Sequence, residues 1–245
     1  MPRIGILVVA YNAETTLESV LSRIPTEFIS SISVILICDD ASQDATFSVG
    51  QQVQQARPDL PITLIRHPVN LGYGGNQKAG YRWMIDNNID VVVLLHGDGQ
   101  YAPEFLPKMV DPIAIGAADV VFGSRMMTPG TALKGGMPKY KFVGNKILTT
   151  LQNRLAKVSL TEWHSGYRAY SVASLRKINF LKNSDYFDFD SQIILQMIGA
   201  RQRINEIEIP TFYGDEISRV NGIKYGIKIL IHTLKFRLSS NKSYF

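Results

Sequence analysis

The sequence predicts an α/β fold in which a mostly parallel central sheet is flanked by helices. Three largely apolar runs, at residues 4–10, 32–38 and 91–95, are rich in β-branched side chains and end abruptly in polar residues. Such runs are typical of strands that are buried on both faces. Segments with apolar residues at helical spacing separate them, and strands that alternate with helices favour a doubly wound sheet.

The first half of the chain supplies two helices and three strands to this sheet. After the first strand, Asn12 is predicted to cap a helix that Pro25 ends. After the strand at residues 32–38, Ser42 is predicted to cap the second helix. Residues 62–65 are predicted to form a short third strand. We expect both helices to pack their apolar positions on the sheet.

A glycine-rich segment at residues 70–78 opens the next helix. Glycines ahead of a helix can cradle a phosphate at the positive helix N-terminus, but they also serve tight turns, and the full dinucleotide fingerprint is missing. The strand at residues 91–95 follows. Pro103 and Glu104 are then predicted to begin a helix, and residues 118–122 a further strand.

Residues 126–141 interrupt the alternation of strands and helices. Glycine and proline stand there among lysines, which predicts a mobile basic loop, either a lid or a solvated connector. The next helix carries one apolar stripe: Val143, Ile147, Leu151, Leu155 and Val158. We expect that stripe to pack on the core. Residues 204–210 are predicted to form the last strand.

The chain divides into a main domain, residues 1–222, and a basic amphipathic helix and tail, residues 223–245. One helical face of the tail collects apolar residues: Ile223, Ile227, Leu230, Ile231, Leu234 and Leu238. Lysine and arginine occupy its other faces. This pattern fits a helix lying on an anionic membrane and also a helix docked on the domain's own surface.

Length, charge and cysteine content limit the class of protein. A chain of 245 residues with 45% hydrophobic and 19% charged residues indicates a globular protein with a large core, and a net charge of +5 favours an anionic partner. Cys38 is the only cysteine and lies in an apolar run, so we expect a buried thiol and a reducing compartment. The first strand starts at Ile4, and no run approaches the roughly 18 apolar residues of a membrane span. We therefore expect neither a signal peptide nor a spanning helix.

The strand at residues 91–95 ends at a candidate ligand site. His96-Gly97-Asp98-Gly99-Gln100 follows it, and in open α/β sheets ligands bind beyond the carboxyl ends of the strands. A carboxylate between glycines, with an amide oxygen nearby, suits Mg²⁺ or Mn²⁺ bound to a diphosphate. Asp-Gly is also common in turns, and from this stretch alone both interpretations stand. Other strand ends carry polar or charged residues as well: Tyr11, Asp39, Asp40 and Arg125. Several acids at one sheet edge favour a site.

Six motifs in chain order carry a resemblance to family-two glycosyltransferases, in particular the polyprenyl-phosphate sugar synthases. They are Val9-Ala10-Tyr11-Asn12-Ala13-Glu14, Cys38-Asp39-Asp40 through Thr46, Asn70-Leu71-Gly72 with Gly74, Asp98-Gly99-Gln100-Tyr101 with Pro103-Glu104, Gly123-Ser124-Arg125 and Ser165-Gly166-Tyr167-Arg168. The match runs from Ile4 to about Ile231. The resemblance implies the Rossmann-like, nucleotide-sugar-binding GT-A fold, a nucleotide-diphosphate sugar as donor, and Mg²⁺ or Mn²⁺ as cofactor.

The resemblance and the glycine-rich segment together assign roles to residues. Nucleotide-sugar binding falls on strand ends and the loops beside them: Ala10, Tyr11, Glu14, Asp39, Asp40, Asn70, Gly72, Lys78 and Asp98. The metal is expected at Asp98, Gln100 and His96. Arg125 is expected to meet the acceptor. Glu162, where many relatives have Asp, is the candidate general base.

One position departs from the family pattern. The first acid of the family's Asp-x-Asp is His96 here, and imidazole is a poorer ligand for Mg²⁺ than carboxylate. Either Asp98 suffices, or His96 binds a softer ion such as Mn²⁺, or activity is lost. We favour the first alternative, because the diphosphate itself supplies oxygen ligands.

These residues lead to the hypothesis of an inverting glycosyltransferase that moves a hexose from a GDP-mannose or UDP-glucose type of donor to a polyprenyl phosphate. A phosphate acceptor is already ionised at neutral pH and needs cations rather than a base. The candidates to bind it are Arg125, Lys139, Lys141, Ser165, Arg168 and Arg219. Such an enzyme is expected in the cytoplasm, peripherally on the membrane face, and the need for a membrane-spanning partner subunit is left open.

Two other functions stay open from the sequence. Transfer to a hydroxyl of a soluble glycan or a protein would use Glu162 as the base. Loss of catalysis through His96 would instead leave a nucleotide-sugar-binding subunit. Nucleic-acid binding is not expected, because the basic residues lack a concentrated patch with interleaved aromatic side chains.

Overall fold

The computed structural model describes residues 1–212 and 221–239 of the chain. In these ranges seven strands form one sheet in the order β3-β2-β1-β4-β6-β5-β7. The strands are β1 (Ile4–Ala10), β2 (Ile32–Asp39), β3 (Ile62–Arg66), β4 (Val91–His96), β5 (Val120–Ser124), β6 (Arg168–Ser171) and β7 (Ile204–Glu208). Neighbouring strands are parallel except at β6, which runs antiparallel to β4 and β5. The predicted mostly parallel α/β sheet is confirmed.

Helices cover both faces of the sheet. Within the described ranges they are α1 (Leu17–Ser22), α2 (Thr26–Ile29), α3 (Thr46–Ala56), α4 (Tyr73–Asp86), α5 (Leu106–Ala114), α6 (Thr131–Lys134), α7 (Lys139–Ala156), α8 (Val172–Leu175), α9 (Phe189–Gly199) and α10 (Gly222–Leu238). Short 3₁₀ turns lie at Pro103–Phe105 and Phe180–Lys182. Arg219, a predicted phosphate ligand, lies outside the described residues. The division of the chain at residue 222 stays a prediction.

The core lies on both sides of the sheet, which explains the continuous apolar runs. In β1, Ile6 and Val8 pack into the cluster that includes α1, α3 and α5, whereas Leu7 and Val9 pack into the cluster that includes α4 and α9. Successive side chains of a strand point to opposite faces, so a strand covered on both faces must be apolar throughout. Cys38 is buried in the second cluster, as expected.

The strand order places a crevice at the carboxyl ends of β1 and β4. The chain builds β1, β2 and β3 outward in one direction and then adds β4 on the other side of β1. Ligands of open α/β sheets bind where the strand order reverses in this way. Because β6 is antiparallel, its first residue, Arg168, pairs with Leu94 near the carboxyl end of β4. The segment that leads into β6 therefore reaches the same edge.

The predicted caps of the first two helices are wrong. Helix α1 begins at Leu17 rather than just after Asn12, and α3 begins at Thr46 rather than just after Ser42. Asn12 has a positive φ of 51° and accepts a hydrogen bond from the Gln43 amide at 3.0 Å. Asn and Asp tolerate this left-handed backbone better than other non-glycine residues. The two polar residues join two loops instead of capping two helices.

Residues 126–141 are not one continuous loop. Helix α6 lies within this segment, and α7 already begins at Lys139. The end of α6 packs closely on the chain after β7, since a Cβ on Gly135 would lie 2.2 Å from the Thr211 carbonyl oxygen. The two helices correct the prediction of a loop over the whole segment.

The buried face of α7 differs from the prediction, and α10 docks on the domain through a face other than its apolar stripe. Val143, Ile147 and Leu151 of the α7 stripe are exposed, and the buried residues of that helix include Asn145 and Gln152. In α10 the predicted apolar face is likewise mostly exposed. That helix docks on the domain through another face: Gly226, Ile229, Thr233 and Phe236. No helix in the described ranges is long and apolar enough to cross a membrane.

Candidate active site

The loops after β1 and β2 are clasped together at the carboxyl edge of the sheet. The amide of Ala13 donates to Thr46 Oγ1 at 2.7 Å, and the Ala45 amide donates to Glu14 Oε2 at 2.9 Å. The Ala10 carbonyl accepts from the Asp40 amide at 2.9 Å. Glu14, predicted to contact the nucleotide, therefore holds the two loops in register. Tyr11 stands at the end of β1 and is partly exposed.

Asp39 ends β2 and is fully buried. Its Oδ1 accepts from the Ser42 amide at 3.1 Å, and its Oδ2 lies 3.3 Å from Arg66 Nε. Oδ2 is buried without a hydrogen-bond partner among the described residues. A buried carboxylate oxygen is a costly group to leave without a donor, so this atom is suited to accept a hydrogen bond from a ligand.

Asp40 positions the glycine-rich loop. Its carboxylate accepts from the amides of Leu71 and Gly72 at 2.7 and 3.0 Å, and its carbonyl accepts from Asn70 Nδ2 at 3.0 Å. Burial raises the pKa of the Asp40 carboxyl above its ordinary value, although these amide hydrogen bonds act against the rise. Gly72 has a φ of +81°, and a Cβ there would lie 2.6 Å from the Asp185 carbonyl oxygen. Asp40 and Asn70 thus shape this loop.

Lys78 is not brought to the other predicted nucleotide-binding residues. Its ammonium lies 2.5 Å from Asp185 Oδ1 and donates to the Asn183 carbonyl at 2.8 Å. Its polar contacts are with residues 181–185 and link α4 to the chain before α9. The predicted phosphate contact of Lys78 therefore finds no support in its position.

Asp98 stands exposed just beyond β4, at the crevice between β1 and β4. Its Oδ1 accepts from the Gln100 amide at 3.0 Å, so the residue does form the local turn considered above. The backbone just before Asp98 is held in place, because Gly97 donates to the Val9 carbonyl at 2.9 Å and its own carbonyl accepts from Thr16 Oγ1 at 2.7 Å. An exposed carboxylate in such a turn is compatible with both interpretations of Asp98, a turn residue and a ligand of a diphosphate-bound metal.

His96 lies in an aromatic cage under this turn. Its ring packs edge-on against Tyr73 and Tyr101, with centroids 5.5 and 4.9 Å away. Its Nε2 lies 3.2 Å from Tyr73 Oη, which donates its one proton to Asp190 Oδ2 at 2.9 Å. Nε2 must therefore carry the proton in the His96–Tyr73 hydrogen bond. Burial lowers the pKa of His96 below its ordinary value, so the ring is neutral at pH 7.

Arg168 is buried rather than presented to an acceptor. It donates to the carbonyls of Ser165, Trp163 and Asp190 at 2.9, 3.2 and 2.8 Å, and its guanidinium lies over the Phe122 ring. Arg168 begins the inner strand β6 and is buried, so these contacts engage its guanidinium inside the protein. The prediction that Arg168 binds the acceptor phosphate is not supported. Its position shows that it braces the segment before β6.

Arg125 and Glu162 form a buried ion pair. The Arg125 guanidinium donates to both Glu162 oxygens, its backbone amide donates to Oε2 at 2.7 Å, and Asn145 of α7 donates to Oε1 at 2.7 Å. Burial works against ionisation of Glu162, but the Arg125 charge and these hydrogen bonds outweigh it and hold its pKa below the ordinary value. Glu162 is therefore a buried carboxylate whose oxygens are taken up by hydrogen bonds, with few lone pairs left for a proton.

The remaining predicted acceptor ligands are divided. Ser165 is buried, and its Oγ accepts from the Tyr167 amide at 3.3 Å. Lys139 and Lys141 lie in the first turn of α7, where Lys139 is exposed and Lys141 half-buried. Lys141 precedes Asn145 by one helical turn, so both lie on the side of α7 that meets Glu162.

The donor set at Asp98 fits a hard divalent cation only if a ligand completes it. Mg²⁺ is commonly bound by one or two carboxylates plus substrate phosphates. Asp98 supplies an exposed carboxylate, and Gln100 lies beside it in the same turn. In the described ranges no group of three His, Cys, Asp or Glu side chains is placed to hold a metal by itself. The residues present therefore fit a metal that arrives with a diphosphate.

Several polar residues of this edge escaped the sequence analysis. Tyr73 and Asp190 complete the His96 cage, Tyr101 accepts from the Gly166 amide at 2.6 Å, and Asn145 completes the Arg125–Glu162 pair. No signal in the sequence pointed to Asn145, since α7 carries many other polar residues.

Comparison with known proteins identifies the class to which this fold and site belong. The chain matches Glycosyl transferase family 2 over residues 5–178. It is 25% identical over 246 residues to UDP-N-acetylglucosamine--dolichyl-phosphate N-acetylglucosaminyltransferase of Methanococcus voltae, with 96% of each chain covered. It is 28% identical over 223 residues to undecaprenyl-phosphate mannosyltransferase of Micrococcus luteus, with 90% of this chain and 88% of that protein covered. The protein belongs to glycosyl transferase family 2.

A solved structure supports the same fold. Glucosyl-3-phosphoglycerate synthase from Mycobacterium tuberculosis, in complex with Mn²⁺, UDP and glucosyl-3-phosphoglycerate, superposes with a TM-score of 0.69 at 18% identity, covering 96% of this chain and 80% of that one. At 18% identity the similarity is evidence for the fold alone. The fold is GT-A, as the resemblance implied.

Proposed function

We propose that the protein transfers a hexose from a nucleotide-diphosphate sugar to a polyprenyl phosphate, with inversion at the anomeric carbon. The observation that carries the proposal is the arrangement along one sheet edge. The exposed Asp98 stands at the β1–β4 crevice, between the loops of Asp39 and Asp40 on one side and the Arg125–Glu162 pair on the other. The relatives from M. voltae and M. luteus are named for transfer to dolichyl and undecaprenyl phosphate.

The donor's nucleoside is assigned to the β1–β2 side of the crevice. Asp39 Oδ2 is buried and, apart from its ion pair with Arg66, has no hydrogen-bond partner among the described residues, which suits the N–H of a base. Tyr11 adds a partly exposed ring at the end of β1. Glu14, Asp40 and Asn70 support this side by holding its loops in place.

The diphosphate is assigned to Asp98 together with a divalent cation, Mg²⁺ or Mn²⁺. Asp98 and Gln100 would hold the ion, which when bound supplies positive charge that stabilises the leaving diphosphate. His96 is excluded from this ligand set in the proposal, since its protonated Nε2 is directed at Tyr73 and its ring is caged. This placement favours the alternative in which Asp98 suffices. His96 then supports the turn from below.

The acceptor is proposed to be a phosphate because Glu162 is poorly suited to act as a base. A hydroxyl acceptor needs a group that takes its proton, and the best group has a pKa near the working pH. The pKa of Glu162 lies below its ordinary value, and Arg125 and Asn145 occupy its oxygens. A phosphate needs only cations and arrives ionised. Lys139 and Lys141 at the start of α7 are the cations placed to meet it, and Arg219 stays a further candidate.

The proposal is tested by measuring transfer with a panel of UDP- and GDP-sugars. Each is incubated with the protein, Mg²⁺ or Mn²⁺, and either a short polyprenyl phosphate, the matching polyprenol, or a soluble sugar. Glycolipid formed only with the phosphorylated prenol, and detected by mass spectrometry, is the expected result. Transfer to the prenol or the soluble sugar, without transfer to the phosphate, would overturn the acceptor assignment.

An Asp98→Asn variant distinguishes an active enzyme from a binding subunit. The residue is exposed, so the fold should persist while the rate falls by about 10²–10³-fold, which is typical for loss of one charge-stabilising group. Asp111→Asn, at an exposed acid of α5, is the matched control and should keep full activity. Nucleotide-sugar binding by calorimetry without any turnover, in both proteins, would favour the subunit instead.

A further inference from the structure

The outer faces of α7 and α10 are apolar although their inner faces are polar or mixed. A helix turns by about 100° per residue, so the exposed apolar residues of each helix fall in a sector about 80° wide. In α7 they are Tyr140, Val143, Ile147 and Leu151, and in α10 they are Ile223, Ile227, Ile231, Leu234 and Leu238. A surface helix normally shows the reverse arrangement. We call these nine side chains the α7–α10 surface.

The two stripes lie on the same side of the protein. Leu148 packs beside Gly226, and further along both helices Gln152 donates to Thr233 Oγ1 at 3.3 Å. The helices therefore run in roughly the same direction. On each helix the stripe lies roughly a third of a turn from these contacts, in opposite rotational senses. Both stripes consequently face away from the sheet and together form one apolar surface.

The charges around this surface have one sign. Helix α7 carries four cations and α10 carries four, and neither helix contains an Asp or Glu: the cations are Lys139, Lys141, Lys146, Arg154, Lys224, Lys228, Lys235 and Arg237. Of these, Lys228 lies 3.8 Å from Asp188, which neutralises part of its charge. A basic rim around an exposed apolar stripe is typical of helices that lie in the interface of an anionic membrane.

We propose that the α7–α10 surface docks on an anionic lipid membrane. Exposed apolar surfaces larger than isolated side chains mark interaction sites. A second copy of this chain is the other occupant to consider, but a symmetric contact would bring two sets of cations together without a facing acid on either helix. Anionic lipid head groups complement the rim, and the acyl region covers the stripes. The cations around the surface therefore favour an anionic membrane over a second copy of the chain.

The inner faces of the same helices reach the candidate acceptor site. Asn145 of α7 donates to Glu162 Oε1 at 2.7 Å, and Tyr225 of α10 lies with its hydroxyl 3.1 Å from His164 Nδ1. Docking would thus place the membrane beside the Arg125–Glu162 pair, where the proposed function requires a lipid-borne phosphate. The inference rests on the proposed function only in placing a lipid-borne phosphate beside this pair, since the α7–α10 surface itself is defined without it.

Vesicle binding tests the inference without donor or acceptor, so its failure would leave the transfer assay untouched. The protein is sedimented with vesicles of phosphatidylcholine, with or without phosphatidylglycerol. We expect binding that requires the anionic lipid and weakens as salt is raised. Absence of binding to the anionic vesicles, or equal binding to both, would overturn the proposal.

Two exposed apolar positions and one control refine the test. Ile147→Glu and Ile227→Glu, at side chains 55% and 56% exposed, should each weaken binding at least about tenfold while circular dichroism and thermal unfolding stay unchanged. Ile115→Glu, at an equally apolar side chain 79% exposed beyond α5, should bind as the parent does. Equal losses in all three variants would overturn the assignment of the surface.

A charge variant and the oligomeric state separate the membrane from a second copy. Lys224→Glu with Lys235→Glu should weaken binding to anionic vesicles at least about tenfold. Sedimentation velocity of the parent protein should give a monomer. A dimer that Ile147→Glu converts to a monomer would show that a second copy covers the surface and would overturn the proposal.

Discussion

At the scale of single residues, Gly166 is fixed by the His96 cage. A Cβ at this position would lie 2.7 Å from His96 Cε1 and 2.8 Å from Nε2. Gly166→Ala should therefore lower the free energy of unfolding by about 1–3 kcal/mol, as overpacking of a tight site does. Urea denaturation measures the change. Gly144→Ala in α7, where a Cβ would meet nothing within 4 Å, is the control and should stabilise the protein slightly.

The Arg125–Glu162 pair gives a second prediction at this scale. Glu162→Gln leaves the buried guanidinium without its counter-charge and should lower the free energy of unfolding by about 3–5 kcal/mol. Arg125→Met combined with Glu162→Met should recover a large part of that loss, because no uncompensated charge stays buried. A double-mutant cycle from urea denaturation of the parent, Arg125→Met, Glu162→Met and the double variant measures this recovery.

That cycle also tests whether Arg125 and Glu162 act as one coupled unit. Glu162→Gln alone would reduce activity in either case, since it disturbs Arg125. If the double variant were as unstable as the sum of both single variants, the pair would not be a coupled unit. Glu162 would then have to be reconsidered as an independent functional group.

Residue positions were predictable where the signal was local. Asp98 follows a buried strand directly, and its exposure at the strand end needs only that strand. The positions of Lys78 and Arg168 were not predictable, because their partners are far along the chain. Asp185 lies more than a hundred positions after Lys78, and Asp190 more than twenty after Arg168. A sequence pattern cannot show which distant group pairs with a given cation.

At the scale of elements, α7 shows why the burial of a helix face is harder to predict than the helix. The spacing of Val143, Ile147 and Leu151 is helical, and a helix is present. The stripe was expected to pack inward because apolar side chains gain by burial. The buried pair Arg125–Glu162 requires a hydrogen-bond donor, and Asn145 supplies it, so the polar side of α7 faces the protein. The burial of the strands was easier to predict, because a strand that is apolar throughout is covered on both faces and leaves no inner face to choose.

The glycine-rich loop offers a prediction for an element. The carboxylate of Asp40 holds two of its amides, those of Leu71 and Gly72. An amide side chain has one acceptor oxygen, so Asp40→Asn should lose one of these hydrogen bonds and loosen the loop. Peptides that cover residues 70–76 should exchange their amide hydrogens faster than in the parent, by mass spectrometry. Peptides over α5 serve as the internal control, and unchanged exchange in the loop would contradict the role of Asp40.

At the scale of the whole molecule, the topology follows from few features. Buried parallel strands and the reversal of strand order after β3 bring the ends of β1 and β4 to one crevice. The antiparallel β6 was not predicted, because its four residues, Arg168–Ser171, mix charge and aromatic rings and show no strand period. It is this strand that carries the segment of residues 162–167 to the same edge. The sequence pattern at β1 and β4 thus predicted the part of the site at those strand ends, but not the part that residues 162–167 form.

The buried histidines give the whole fold a predictable dependence on pH. Burial lowers the pKa of His164 from 6.5 to about 4, with the Arg125 and Arg168 charges adding to the effect and the Glu162 charge opposing it. The unfolded chain therefore binds a proton below about pH 6.5 that the folded protein does not bind until about pH 4. Stability is fully present above pH 6.5 and falls as the pH drops through this window, by about 3 kcal/mol in total for this group. His96, whose pKa is also lowered by burial, acts in the same direction, and Asp40, whose pKa is raised, acts against it.

A His164→Asn variant isolates the contribution of that ring. The slope of the free energy of unfolding against pH, from urea denaturation between pH 6.5 and 4, should decrease by up to about 1.4 kcal/mol per pH unit, the value for one proton. Tyr225→Phe removes the same 3.1 Å contact without removing a group that titrates in this range, so it should lower stability at every pH and leave the slope unchanged. An unaltered slope in His164→Asn would mean that the ring has the same pKa in the folded and the unfolded protein. The buried segment beside Glu162 would then carry a positive charge that its burial gives no reason to expect.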